Sequence, residues 1–173
     1  MNLTIVVSGI NRETNERMSV PVSLPINSND LLEMTGIDAN SKEIEIINHE
    51  FPFSIKDMMW LHELNKIAIT ILGLEADPRL KSIKSIADEW HGSNGVEALY
   101  NLGEIRYLKD VDDYNGLAQA FVGRFKTGTY ISPFMRQFFD IGAYASFLSS
   151  QGGYVFSNGN VFYKSQKVKE IQG

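Results

Sequence analysis

Tyr154-Val155-Phe156-Ser157-Asn158-Gly159-Asn160-Val161-Phe162-Tyr163-Lys164 carries the clearest structural signal in the chain. Two runs suited to strands, Tyr154 to Ser157 and Val161 to Lys164, flank Asn158-Gly159, a pair that readily supplies the two positive-φ positions of a type I′ turn. A hairpin therefore closes the fold, and only a short polar tail follows it. Just upstream, Gly152-Gly153 ends an aromatic-rich helical stretch running from Pro133 to Leu148. Before that stretch, Asp112 or Asp113 caps a helix whose Leu117, Phe121 and Phe125 face one way, and Glu104 to Val111 reads as a strand.

The amino-terminal part has a different rhythm. Leu3 to Ser8 is a β-branched run fit for a strand, and Met18, Val20, Val22 and Leu24 alternate with Arg17, Ser19, Pro21 and Ser23 as a half-buried second strand. Pro21 has no N–H to give a ladder, which places that strand at a sheet edge. Ser28 to Gly36 reads as a short helix around Leu31 and Leu32. A third strand follows, with Ile44 and Ile46 on one face and Glu43 and Glu45 on the other, completing a β-β-α-β unit.

Between these parts the pattern is helical. Ser54 and Asp57 form a capping-box-like pair opening a helix with Leu61, Leu64, Ala68 and Ile71 on one face, closed by Gly73. Met58, Met59, Trp60, Ile67 and Ile69 fall elsewhere around it, so this helix is expected to be buried on several sides. Asp77-Pro78 caps the next helix, with Leu80, Ile83, Ala87 and Trp90 as its stripe, and a brief helix around Val96 and Leu99 ends at Gly103. The fold class that follows is α+β in three small subdomains: an α/β unit over 1–53, a helical unit over 54–103 and an α/β unit with the terminal hairpin over 104–173.

Composition narrows the function. The 173 residues include no cysteine, which removes disulfides and thiolate metal sites and suits a reducing compartment. The segment Met1 to Ile10 lacks a basic n-region and a cleavage site, and no stretch approaches the ~18 apolar residues of a membrane helix, so neither secretion nor membrane insertion is expected. Formal net charge is −5, unevenly spread: residues 1–50 hold 8 acids against 3 bases, 51–113 hold 11 against 7, and 114–173 hold 2 against 6. The chain is acidic for two-thirds of its length and basic thereafter.

Catalytic and metal motifs fail on inspection. His62-Glu63-Leu64-Asn65-Lys66 places an ammonium where a zincin helix needs its second imidazole. Asp110 to Gly116 has the acids of a calcium loop but Asn115 at the obligatory glycine position and Phe121 where the bidentate glutamate belongs, so helix capping is the better reading. The glycines and lysine of 123–129 are out of order for a phosphate loop. Three histidines leave few ways to assemble a nucleophile and its base. Neither an enzyme, a cofactor nor a bound metal is expected.

Ile47-Asn48-His49-Glu50-Phe51-Pro52-Phe53-Ser54-Ile55, followed by Leu61-His62-Glu63-Leu64-Asn65 at the start of a long helix, resembles the central signature of ArdA antirestriction proteins: an acidic strand, an aromatic-Pro-Phe turn, then a helix with Glu-Leu-Asn. Asp112-Asp113-Tyr114 with Ala118, then Gly128, Pro133, Phe138, Asp140, Ala143-Tyr144 and the hairpin with Val161-Phe162-Tyr163, are similar in order and approximate spacing to that family's third subdomain. The family's Leu-Gly-Glu type motif reads Thr127-Gly128-Thr129 here.

The resemblance implies an elongated homodimer of three-part protomers that imitates bent B-form DNA and fills the DNA-binding groove of a type I restriction-modification enzyme. It also implies a bacterial cytoplasm, genes carried by conjugative elements and phages, and no direct DNA binding. On that reading the partner-binding acidic residues are Glu43, Glu45, Glu50, Asp57, Glu63, Asp110, Asp112 and Asp113. The dimer seam is Phe134, Phe138, Phe139, Tyr144 and Phe147. The alternative is a diverged relative without DNA mimicry. It would bind another protein or nucleic acid through Arg124, Lys126, Arg136, Lys164, Lys167 and Lys169, interleaved with Phe125, Tyr130, Phe134 and Phe138.

Overall fold

The computed structural model describes residues 3–40, 45–55, 60–124 and 139–165. Among them are seven helices and two three-stranded sheets, an α+β fold. The chain divides into two compact units, Met1–Tyr100 and Asn101–Gly173. The first contains both the sheet and the helices that the sequence pattern placed in 1–53 and most of 54–103.

In the first unit, β1 (Leu3–Ile10) is the central strand, flanked antiparallel by β2 (Arg17–Leu24) and β3 (Glu45–His49). The order β2-β1-β3 puts Pro21 on an edge strand, where its missing N–H costs no ladder bond. Leu3, Ile5 and Val7 of β1 face the core with Val22 and Leu24 of β2, the period-2 alternation of a half-buried sheet.

The β3 pattern departs from simple alternation. Val7 pairs with Ile46 and Ser8 with Glu45, but Val6 pairs with Asn48 and Ile5 with His49, so a bulge leaves Ile47 unpaired and exposed. That extra residue switches the strand's phase. Ile46 and His49, three apart, both sit opposite core-facing positions, and Phe51 and Phe53 continue the buried row.

Helix α1 (Ser28–Thr35) starts with Asn27, whose side chain accepts the Asp30 N–H, and ends at Gly36 in the left-handed conformation with φ 69°. Asn11 binds this end to the β1–β2 turn: its Nδ2 donates to the Thr35 carbonyl at 3.0 Å, and its Oδ1 accepts the Glu13 and Thr14 amides at 2.8 and 3.0 Å.

Helix α2 spans Leu61–Gly73, seven residues later than the Ser54 start expected from the capping pattern. The reason is tertiary. Phe51 and Phe53 are buried with their rings stacked at 6.3 Å, and Gly95 packs so closely on Phe53 that a Cβ there would overlap it. Ser54 and Ile55 lie outside any helix, and Trp60 is the residue before α2, its N–H accepted by Glu63 Oε2 at 3.2 Å.

Helix α2 is also less enclosed than its composition suggests. Leu61, Leu64, Ile67, Ala68 and Ile71 are buried, whereas Ile69 is 59% exposed and Trp60 55%. The expected single helix from Pro78 to Trp90 is two, α3 (Pro78–Lys81) and α4 (Ile83–Trp90), because buried Ser82 leaves helical geometry at φ −107°, ψ 13°. Helix α5 (Gly95–Tyr100) packs on α2 and α4.

In the second unit, β6 (Asn160–Lys164) lies between β4 (Ile105–Lys109) and β5 (Tyr154–Ser157), all antiparallel. The hairpin has the expected turn, with φ of 51° at Asn158 and 71° at Gly159. Strand β4 is shorter than the expected 104–111 because Asp110 turns to φ 58° and ends the ladder.

Helix α6 (Tyr114–Arg124) opens on Asp113, whose Oδ1 accepts the Gly116 N–H at 2.7 Å. Helix α7 (Ile141–Gln151) opens on Asp140, which accepts from Ala143 at 2.9 Å; the first part of the helical stretch expected from Pro133, residues 133–138, lies outside the described residues. These two helices pack on each other. Leu117, Ala118, Ala145 and Leu148 join Leu108, Tyr154, Val161 and Tyr163 in one buried cluster.

Candidate functional site

Among the eight carboxylates singled out from the sequence, Glu43 and Asp57 lie outside the described residues. So do Phe134 and Phe138 of the expected dimer seam, and every member of the alternative basic-aromatic set except Arg124 and Lys164. The remaining six carboxylates are all exposed. Glu45, Glu50 and Glu63 belong to the first unit, and Asp110, Asp112 and Asp113 to the second.

Each of the six occupies a defined local position. Glu45 projects from the outer sheet face opposite Ser8, and the Arg17 guanidinium reaches across β1 to it at 3.3 Å while also donating to Ser8 Oγ at 3.3 Å. Glu50 extends the sheet by one bond, its N–H donating to the Thr4 carbonyl at 2.9 Å, and leaves its carboxylate in solvent. Glu63 sits in the first turn of α2, where a negative charge is favoured by the helix dipole. Burial, together with the field of Glu63, raises the Tyr100 phenol above its ordinary pKa, and the Lys66 ammonium lies 5.3 Å from the centre of that ring.

Asp110, Asp112 and Asp113 are brought together on the link from β4 to α6. Asp113 is committed to capping, and Asp112 Oδ1 lies beside Gly159 of the hairpin. The calcium-like spacing of this link thus resolves into a strand end and a helix cap. Among the described residues no group of three or more Asp, Glu or His side chains is arranged to hold a metal ion.

The acidic bias read from the sequence extends beyond these carboxylates. The first unit contains 15 acidic and 8 basic residues, a net −7 that exceeds the whole chain's −5. Of its 13 described carboxylates 11 are exposed, so they present charge to solvent instead of serving the core. Glu13 and Glu16 flank the β1–β2 turn, Asp30 and Glu33 ride on α1, and Asp88 and Glu89 on α4.

The unit's three arginines are each held by a carboxylate: Arg12 by Asp38, Arg17 by Glu45 and Arg79 by Asp77 at 2.6 Å. The Asn40 amide, and then Arg12, lower the Asp38 pKa, and the Arg79 hydrogen bond lowers that of Asp77. Partners 26 and 28 residues apart, as in the first two pairs, give no local sequence signal.

In the second unit the aromatic side chains mostly contact one another. Tyr114 meets Phe156 edge-on at 4.8 Å, and Phe121 contacts Tyr154 and Tyr163 at 6.3 and 6.4 Å. Of the expected seam, Phe139, Tyr144 and Phe147 form a chain of rings, with Phe139–Tyr144 at 5.5 Å and Tyr144–Phe147 stacked at 6.3 Å. Tyr144 and Phe139 are half-buried, and Phe147 is 48% exposed.

Among the described residues no helix is long and apolar enough to cross a membrane. No protein-family model matches the chain, and no curated protein matches it.

Proposed function

We propose that this chain is an antirestriction protein of the ArdA type, working in the bacterial cytoplasm. It occupies the basic DNA-binding groove of a type I restriction-modification enzyme, with exposed carboxylates standing in for phosphates and no chemistry of its own. The observation that carries the reading is the density of exposed carboxylates on the first unit, whose arginines are already engaged by carboxylates of the same chain. A basic groove evolved to bind phosphates gains counterion release and long-range attraction from such a surface.

The alternative, nucleic-acid binding through a basic aromatic carboxy-terminal part, rests on Phe125, Tyr130, Phe134 and Phe138, which lie outside the described residues. The homodimer belongs to the same proposal, with Phe139, Tyr144 and Phe147 as the described part of its seam.

Competition for DNA bound to a purified type I methyltransferase core tests the reading. Displacement should weaken steeply between low and physiological salt, and the protein alone should not retard DNA. Displacement indifferent to salt, or retardation of DNA by the protein itself, would reject it.

A further inference from the structure

The chain contains three Asn-Gly pairs, the dipeptide whose asparagine is most prone to lose its amide: Asn94-Gly95, Asn115-Gly116 and Asn158-Gly159. We propose that the fold makes Asn158 a site of spontaneous covalent modification and protects the other two.

In this reaction the backbone nitrogen of the glycine attacks the asparagine Cγ. The side-chain nitrogen departs as ammonia with the proton from the glycine nitrogen, leaving a five-membered imide. Water then opens either imide carbonyl, giving aspartate or isoaspartate. No oxidant, metal or enzyme is needed, only water.

Ring closure requires an available glycine nitrogen and a backbone able to rotate. At Asn115 that nitrogen is engaged: the Gly116 N–H donates to Asp113 Oδ1 at 2.7 Å inside the first turn of α6. At Asn94 the side chain is engaged, its Oδ1 accepting the Glu97 N–H at 3.2 Å and its Nδ2 reaching Glu97 Oε2 at 3.4 Å. Gly95 is buried with Phe53 against its Cα, so the peptide there has no room to turn.

Asn158 and Gly159 are both exposed and form the whole two-residue loop beyond the last ladder pair, Ser157 with Asn160. The closed imide holds its residue near ψ of about −120°, the value at the first central position of a type II′ turn, which also has φ near about +60°. Asn158 already has φ 51°. A flip of the one central peptide converts type I′ to type II′ and gives up the exposed bond from Asn160 Nδ2 to the Asn158 carbonyl at 2.7 Å, while ring closure also releases the Asn158 Nδ2 bond to Ser157 Oγ at 3.3 Å; both turns fit a two-residue hairpin, so the ring can close with the strands still paired.

The two products act differently. Aspartate retains the backbone and adds a carboxylate near Asp112, which lies against Gly159. Isoaspartate inserts an extra carbon into a turn that sets the register of β6, where Val161 and Phe162 are both 0% exposed, and so should loosen the second unit.

The test is incubation of the intact folded protein at 37 °C and mildly alkaline pH, with peptide mapping by mass and enzymatic methyl labelling of isoaspartate. A parallel sample in concentrated guanidinium serves as the unfolded reference. We expect modification at Asn158 roughly tenfold or more ahead of Asn94 and Asn115 in the folded sample, the factor set by the cost of locally opening a helix start. In guanidinium the three should react at similar rates. Equal rates at all three sites in the folded protein, or an Asn158 that reacts only after unfolding, would overturn the proposal.

Discussion

Asn65 offers the sharpest test of how the first unit is held together. Its Oδ1 accepts the Ile26 N–H at 2.9 Å and its Nδ2 donates to the Ile26 carbonyl at 2.6 Å, so one side chain satisfies both backbone groups of a buried residue 39 positions away. Replacing Asn65 with Ala removes both bonds and leaves the two Ile26 groups without their partner. Each net bond is worth about 1 kcal/mol, and each poorly satisfied buried group adds to that, so a loss of about 2–4 kcal/mol is expected. Against a total stability of about 5–15 kcal/mol this is large.

Both tryptophans, Trp60 and Trp90, lie in the first unit, so tryptophan fluorescence in urea reports on that unit alone. With a slope of about 1–2 kcal/mol/M, the midpoint should fall by about 1–4 M. Asn65→Asp adds a pH test. Its ionised carboxylate would face the Ile26 carbonyl, while the protonated acid can donate to it, so the folded-state pKa is raised. The stability this gives is fully present below the ordinary carboxyl pKa and is lost as pH rises through the folded value. N65D should therefore be less damaged near pH 4 than at pH 7, relative to N65A at the same pH. A loss below about 0.5 kcal/mol for N65A would show that the Asn65–Ile26 bonds do not hold the unit together, since even one net hydrogen bond exceeds it.

Three further outcomes follow from the same geometry. Gly95→Ala should destabilise the first unit by about 1–3 kcal/mol in the urea assay, because the added methyl overlaps Phe53 in a packed core. Burial, together with neighbouring tyrosines, pushes the Tyr154 phenol from 10.0 up to about 12; its neutral form is thus favoured by folding, and the second unit should lose up to about 2–3 kcal/mol as pH rises from 10 to 12. Circular dichroism against pH checks this, and Tyr154→Phe should flatten the loss. Arg17→Ala breaks an exposed pair worth no more than about 1 kcal/mol, leaves folding nearly unchanged, and should lower the concentration needed to displace DNA at low salt by releasing Glu45.

What the sequence could reveal was local. The Asn158-Gly159 turn and the Asp77-Pro78 cap are complete within four residues and the structure places them as read, while of Asp112 and Asp113, either of which could cap α6, it uses Asp113. The β-β-α-β order and the edge position of β2 followed from period-2 patterning and one proline. The features that escaped depend on distant partners. The bulge at Ile47 is fixed by its pairing with β1, and the late start of α2 by Phe53 against Gly95. Buried Ser82 splits a helix that its apolar stripe makes continuous.

The candidate surface was legible to the same depth. Its acidic bias can be counted from composition, and the six chosen carboxylates that fall among the described residues are all exposed. Which of them meet an arginine could not be read, because Glu45 and Arg17 become neighbours only when β2 and β3 flank β1.

The direct measurement is the survival of unmodified incoming DNA in cells of a type I restricting strain, compared with and without this protein. Occupation of the enzyme's groove predicts that restriction is relieved while the protein is present, and more weakly when exposed carboxylates such as Glu50 and Glu63 are replaced by lysine. Undiminished restriction in cells that hold abundant folded protein would contradict the account.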